Sequence, residues 1–146
     1  MKAAGLLLLG AMLAIGWTIG FWASQAQALP AFKKAFEQKY VQSGTPAVKA
    51  MAKAEGCNIC HVKGQEKTTR NDYGKALGKF LGGEGETIKA MKAAKASGGD
   101  KAAKEVVDKA AKSLTDEGFD KVADEKGPSG NTFGEQIKAG KAPAAK

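Results

Sequence analysis

Beyond the first 28 residues, apolar side chains recur at helical spacing along almost the whole chain. Phe32, Phe36 and Tyr40 fall at i, i+4 and i+8 and predict a first helix, broken at Ser43-Gly44-Thr45-Pro46. Pro46 suits the first turn of a second helix that carries Val48 and Met51 and ends at Gly56. Asn71 predicts the N-cap of a third helix, with Tyr73, Leu77, Phe80 and Leu81 on one face and Gly82-Gly83 closing it. A short helix around Ile88 and Met91 should stop at Ser97-Gly98-Gly99, with Asp100 capping the next one. That next helix has the cleanest period in the chain: Ala103, Val106, Val107, Ala110, Ala111 and Leu114. Thr115 is the expected cap of a separate turn holding Phe119 and Val122. After a loop at Gly127-Pro128-Ser129-Gly130, Thr132 and Glu135 read as a capping box for a last helix with Phe133 and Ile137, ended by Gly140. Residues 141–146 read as a flexible tail.

No stretch alternates with strand period and β-branched residues are sparse, so the expected fold is all-α. The apolar stripes are thin, rich in Ala and poor in large side chains. A domain of this size buries little surface with such a core, so something besides its own side chains is expected to complete it.

The first 28 residues differ from the rest. Lys2 precedes an uncharged apolar run from Ala3 to Ala23, and Ala26-Gln27-Ala28 offers small residues for a cleavage site. Residues 1–28 therefore read as a secretory signal peptide. The run also reaches the roughly 18–20 residues that span a bilayer, so an uncleaved membrane anchor is the competing reading. Either way residues 29–140 form the exported domain, with the periplasm as its expected compartment.

The chain of 146 residues carries 23 Lys and Arg against 15 Asp and Glu, a formal charge of +8, and every basic residue except Arg70 is a lysine. The lysines are spread over helix faces, which fits either a solvated surface or steering toward an acidic partner. With one arginine and no exposed aromatic platform, nucleic-acid binding is not expected. Two cysteines and one histidine exclude a disulfide framework, a multi-histidine metal centre and a complete zinc site.

What remains is Cys57-Asn58-Ile59-Cys60-His61, the C-x-x-C-H attachment signature of c-type haem. Two thiols three residues apart lie on one side of a helical turn, where both can form thioethers to the haem vinyl groups, and the adjacent imidazole is brought to the iron. C-x-x-C also occurs in redox disulfides and half zinc sites, but the βαβ context of the first and the further ligands of the second are missing here.

On Cys57, Cys60 and His61, on the amphipathic helix before them and on the all-helical remainder, the chain resembles the soluble monohaem cytochrome c family. Arg70-Asn71-x-Tyr73-Gly74 and Thr132-Phe133-Gly134 are similar to segments of its small members. The resemblance implies a cytochrome c-like helical domain wrapped around one covalent haem c, with His61 as the proximal ligand, and single-electron transfer between larger redox proteins. It also implies a distal methionine downstream of the motif. Met91 is the candidate, although its place beside Ile88 in a helix suits a core residue as well. Met51 is the other exported methionine; a lysine, another weak or intermolecular ligand, or an open site complete the alternatives. Arg70 can pair a haem propionate through its planar fork or stand solvated at the surface. Tyr73 can hydrogen-bond a propionate, or pack in its stripe with Leu77 and Phe80.

The expected function is an electron carrier cycling Fe(III)/Fe(II), with acidic redox proteins as donors and acceptors and no enzymatic activity of its own. A gas- or peroxide-binding haem protein with an open distal position is the alternative, as is a haem subunit of a larger complex. No acid–base pair for peroxide activation is visible in the sequence.

Overall fold

A computed structural model describes residues 29–143; the expected signal or anchor, 1–28, lies outside the described residues. The described chain is helical, with no strand and two isolated antiparallel bridges, His61 with Arg70 and Lys126 with Thr132. Among the described residues no helix is long and apolar enough to cross a membrane.

Helix α1 spans Pro30–Phe36, with Pro30 in its first turn, and continues into a π-helical turn at Glu37–Val41. Helix α2 spans Pro46–Glu55, with the Thr45 hydroxyl accepting from the Val48 N–H at 3.4 Å. The break between the two is steric as well as local, since a side chain at Gly44 would meet the Tyr40 carbonyl at 2.1 Å. A 3₁₀ turn at Gly56–Ile59 leads to α3, Asp72–Phe80, capped by Asn71 as its short polar side chain and position predict. Helical structure then runs over Glu86–Ser113 (α4), broken at Gly99, whose φ of 71° and ψ of −164° no helix contains. The predicted interruption at Ser97-Gly98-Gly99 is therefore present. Asp100, however, forms an ion pair with Lys95 across the break at 2.7 Å.

Two further expectations are corrected. Thr115 caps nothing: it lies inside a π-helical turn, Leu114–Gly118, that joins α4 to α5 (Phe119–Ala123). Its hydroxyl donates to the Ala111 carbonyl at 3.0 Å, one turn back, as helical threonines do when the chain runs on. The predicted tail is docked at its start, since Lys141 N–H bonds the Gln136 carbonyl and Pro143 is fully buried. The capping box of α6, Phe133–Lys138, is complete, with Glu135 N–H to Thr132 Oγ1 at 3.2 Å and Thr132 N–H to Glu135 Oε2 at 2.8 Å.

The core gathers side chains from both ends of the chain. Phe36 packs against Tyr40, Tyr73 and Phe119 with ring centroids 5.0, 6.5 and 6.0 Å apart, and Tyr73 meets Phe133 at 5.3 Å. Most of these contacts are edge-on, the arrangement the ring quadrupole favours. Leu114, Val122 and Ile137 fill the space around them. Tyr40 ties the first helix to the last part of the chain through its hydroxyl, which donates to the Phe119 carbonyl at 3.1 Å.

Candidate functional site

The C-x-x-C-H segment is a tight turn held from three sides. Within it, the Cys57 carbonyl accepts from the N–H groups of Cys60 and His61 at 3.2 and 3.1 Å. Beyond it, His61 pairs with Arg70, and the Val62 N–H bonds the Thr69 carbonyl at 3.1 Å, closing the intervening loop. The third hold is Asn71. Its side-chain oxygen caps α3 at the Gly74 N–H, while its amide donates to the Asn58 and Ile59 carbonyls, each at 3.0 Å. One side chain thus starts α3 and latches it to the turn, which its prediction as a cap did not anticipate.

Helix α3 approaches the turn so closely that only glycine fits. A Cβ at Gly74 would lie 2.0 Å from the Cys60 carbonyl oxygen, and one at Gly78 would lie 2.5 Å from Arg70 Nη1. The first glycine admits the backbone of the motif and the second makes room for the guanidinium. Two glycines four apart inside a helix, where each costs about 1 kcal/mol against alanine, are the sequence signal for this approach.

The turn opens on a cavity of about 670 Å³, within the size range of small-molecule and cofactor sites. Cys57, Cys60 and His61 line it, as do Arg70 and Met91. Its apolar walls include Phe32 and Phe36 of α1, Ile59 of the turn, Leu77 of α3, Ile88 of α4, and Leu114 and Phe119. None of these wall residues was singled out as part of a site in the sequence; each looked like an ordinary core position. Lys33, Lys67, Lys89 and Lys92 also border the cavity, against Glu37 and Glu84.

No family model, curated protein or solved structure matches this chain. The chemistry of the site therefore rests on its own groups.

The cysteines are not joined in a disulfide; Cys57 is exposed and Cys60 partly buried. Burial pushes the Cys60 thiol up to about 12, only partly offset by the Arg70 charge, so this sulfur is held as a neutral thiol and not as a reactive thiolate. Nor do the described residues gather three or more His, Cys, Asp or Glu side chains that could hold a metal ion.

His61 is kept neutral. Burial lowers its pKa, the Lys67 and Arg70 charges add to the effect, and the nearby Thr69 carbonyl opposes it without reaching hydrogen-bond geometry. Its Nδ1 is buried with no hydrogen-bond partner among the described residues. A neutral imidazole with an unmatched buried nitrogen, beside two thiols and an apolar cavity, fits the demands of covalently held haem.

The other sequence-predicted residues separate. Arg70 lies on the cavity wall with no carboxylate within 4 Å among the described residues, so its guanidinium is available to a ligand. Met91 is on the wall one helical turn from Ile88. Met51 is buried in the core and is not part of the wall. Tyr73 is also not part of it: it is fully buried among Phe36 and Phe133, and its hydroxyl has no hydrogen-bond partner among the described residues. The cavity lining gives a propionate contact for Tyr73 no support, and packing is the role its position shows.

Proposed function

We propose that this protein is an exported monohaem c-type cytochrome that carries single electrons and catalyses no reaction of its own. The observation that supports this reading best is the convergence of Cys57, Cys60, His61, Arg70 and Met91 on one apolar cavity. These residues span 35 positions of sequence, from the motif turn through the loop before α3 to α4, and the thin helical stripes leave the cavity unfilled by protein.

Cys57 and Cys60 are the thioether donors, and His61 offers a neutral ring nitrogen to the iron. Arg70 supplies a planar double donor suited to a carboxylate such as a propionate. Met91 is the residue whose sulfur would reach the iron from the α4 wall, with Met51 set aside by its place in the core. Bound haem supplies an Fe(III)/Fe(II) couple, and the apolar walls around it exclude water and favour the less charged ferrous state. The four lysines bordering the cavity outnumber Glu37 and Glu84 there, and this net positive border suits acidic donor and acceptor proteins. Export to the periplasm, by a cleaved signal or with the segment kept as an anchor, is part of the same proposal and rests on the first 28 residues.

The test is a reduced-minus-oxidised spectrum of the purified protein with a pyridine haemochrome assay, before and after extraction with acidified acetone. Haem that resists extraction is expected in the native protein and absent from the Cys57→Ala/Cys60→Ala variant. Haem still covalently attached in that variant would sink the reading. His61→Ala should retain attached haem and lose the low-spin spectrum.

A further inference from the structure

The four backbone carbonyls that follow Cys57 are all held by one residue. The Asn71 side-chain amide donates to the Asn58 and Ile59 carbonyls at 3.0 Å each and reaches the His61 carbonyl at 3.5 Å. Its backbone N–H donates to the Cys60 carbonyl at 3.1 Å. The Cys57 carbonyl lies outside this grip and accepts from within the turn instead, from Cys60 and His61. The grip is fixed at its other end as well. Asn71 Oδ1 accepts from the Gly74 N–H at 2.9 Å, which ties the side chain to the first turn of α3, and Gly74 is buried against the Cys60 carbonyl.

His61 has no other hold on its orientation. A metal-binding imidazole is normally aligned by a hydrogen bond from its second ring nitrogen. Here Nδ1 is buried with no partner among the described residues, so the ring is placed through its main chain. The two sulfurs divide along the same line. Cys60 is partly buried inside the grip, and Cys57 is exposed at its edge.

We propose that Asn71 is the positioning residue for haem attachment, setting Cys60 and His61 and leaving Cys57 to find its own place. This role rests on the haem reading above. In attachment each thiol adds its S–H across one vinyl C=C. A C–S bond forms, the hydrogen ends on the other vinyl carbon, the π bond is consumed, nothing leaves and no electron is exchanged with a further reagent. The addition needs the sulfur within bonding reach of one carbon, and a displacement of about 1 Å is enough to slow such a step severely. An exposed Cys57 adjusts to its vinyl group. Cys60 depends on the turn, so loss of the grip leaves Cys60 as the sulfur that fails to react.

Two variants of the full-length protein separate gripping from capping. Asn71→Ser keeps a capping oxygen and removes the amide; Asn71→Asp keeps the oxygen at the same reach and has no N–H to donate from its side chain. In both, hydrogen exchange of the Cys60 and His61 amides should speed up roughly tenfold or more, with Gly74 changed by less than about threefold. Asn71→Ala, which loses both functions, should add fast exchange at Gly74. After alkylation of free thiols and proteolysis, mass spectrometry should find both cysteines joined to haem in the native protein. In the serine and aspartate variants a fraction of chains should be joined through Cys57 alone, with Cys60 alkylated. The ferric low-spin EPR signal, which senses the imidazole orientation, should broaden or split in the same variants. Exchange that rises equally at Gly74 and in the turn reduces Asn71 to a cap and overturns the positioning role. Two thioethers throughout with an unchanged EPR signal overturn it too, as do single thioethers at Cys60. Native protein without covalent haem defeats the haem reading and the attachment role with it, and the exchange contrast tells that outcome from a failure of the grip.

Discussion

The two sides of this domain solve the same problem of burial by different means. On one side, Phe36, Tyr40, Tyr73, Phe119 and Phe133 close on one another, with Leu114 and Ile137 filling the gaps. On the other, Phe32, Leu77, Ile88 and Met91 face a cavity of about 670 Å³. Phe36, Leu114 and Phe119 belong to both, packed on one side and on the cavity wall on the other. The aromatic side needs only the chain itself. The cavity side forgoes contacts that a close-packed interior would make, and gains them only when a ligand supplies the missing atoms. A small helical domain can thus keep a stable half and a receptive half without separate domains.

The sharpest way to break this comparison is to truncate each side and measure stability. Phe133→Ala removes a 3% exposed ring that packs on Tyr73, and should cost about 3–5 kcal/mol in denaturant unfolding; on the haem reading it should leave the absorption spectrum unchanged. A spectral change of the kind expected from the cavity wall would show that the two sides are not separable.

Tyr40→Phe comes next. It removes the hydroxyl that donates to the Phe119 carbonyl and should cost about 1 kcal/mol at neutral pH. Burial, aided by the charges of Asp120 and Asp124 and opposed by the neighbouring Tyr73 hydroxyl, raises this phenol from 10.0 to about 12. A group whose pKa is higher folded than unfolded contributes fully below the unfolded value and loses that contribution as pH climbs through the folded one. The native protein should therefore lose stability between about pH 10 and 12 more steeply than the variant does. Parallel alkaline limbs would show that Tyr40 ionises no differently in the folded state.

Met91→Ala has the smallest expected effect on stability, about 1 kcal/mol or less, because the side chain is half-buried and faces the cavity. Its spectroscopic effect separates it from Met51. If Met91 is the axial thioether, its loss removes the weak far-red ferric band and lowers the potential. Met51→Ala should keep the band and cost about 2–5 kcal/mol, as buried methionine truncations do. The reverse assignment of band and stability would exchange the roles of the two residues.

The sequence by itself determined the features that act over three or four residues. Asn71 and Thr132 cap the helices they were expected to cap, and α4 breaks at Gly99 as its glycines indicate. A cap bonds an N–H two or three positions away, and a positive φ is a property of one residue, so neither depends on what packs nearby. The C-x-x-C-H motif is legible for the same reason. Only the tertiary structure decided which inward-facing residues pack and which line the cavity. Tyr73 and Met51 went to the core, while Ile88 and Met91 lie on the cavity wall. Helical periodicity marks a face as apolar without saying whether the atoms opposite are protein or empty space. Thr115 misled because a threonine can cap a new helix or bond back within a continuing one, and the packing of Leu114 and Phe119 selected the second. The latch at Asn71, the close approaches at Gly74 and Gly78 and the buried Pro143 belong with these, since each is set by a neighbour that the chain meets only after it has folded.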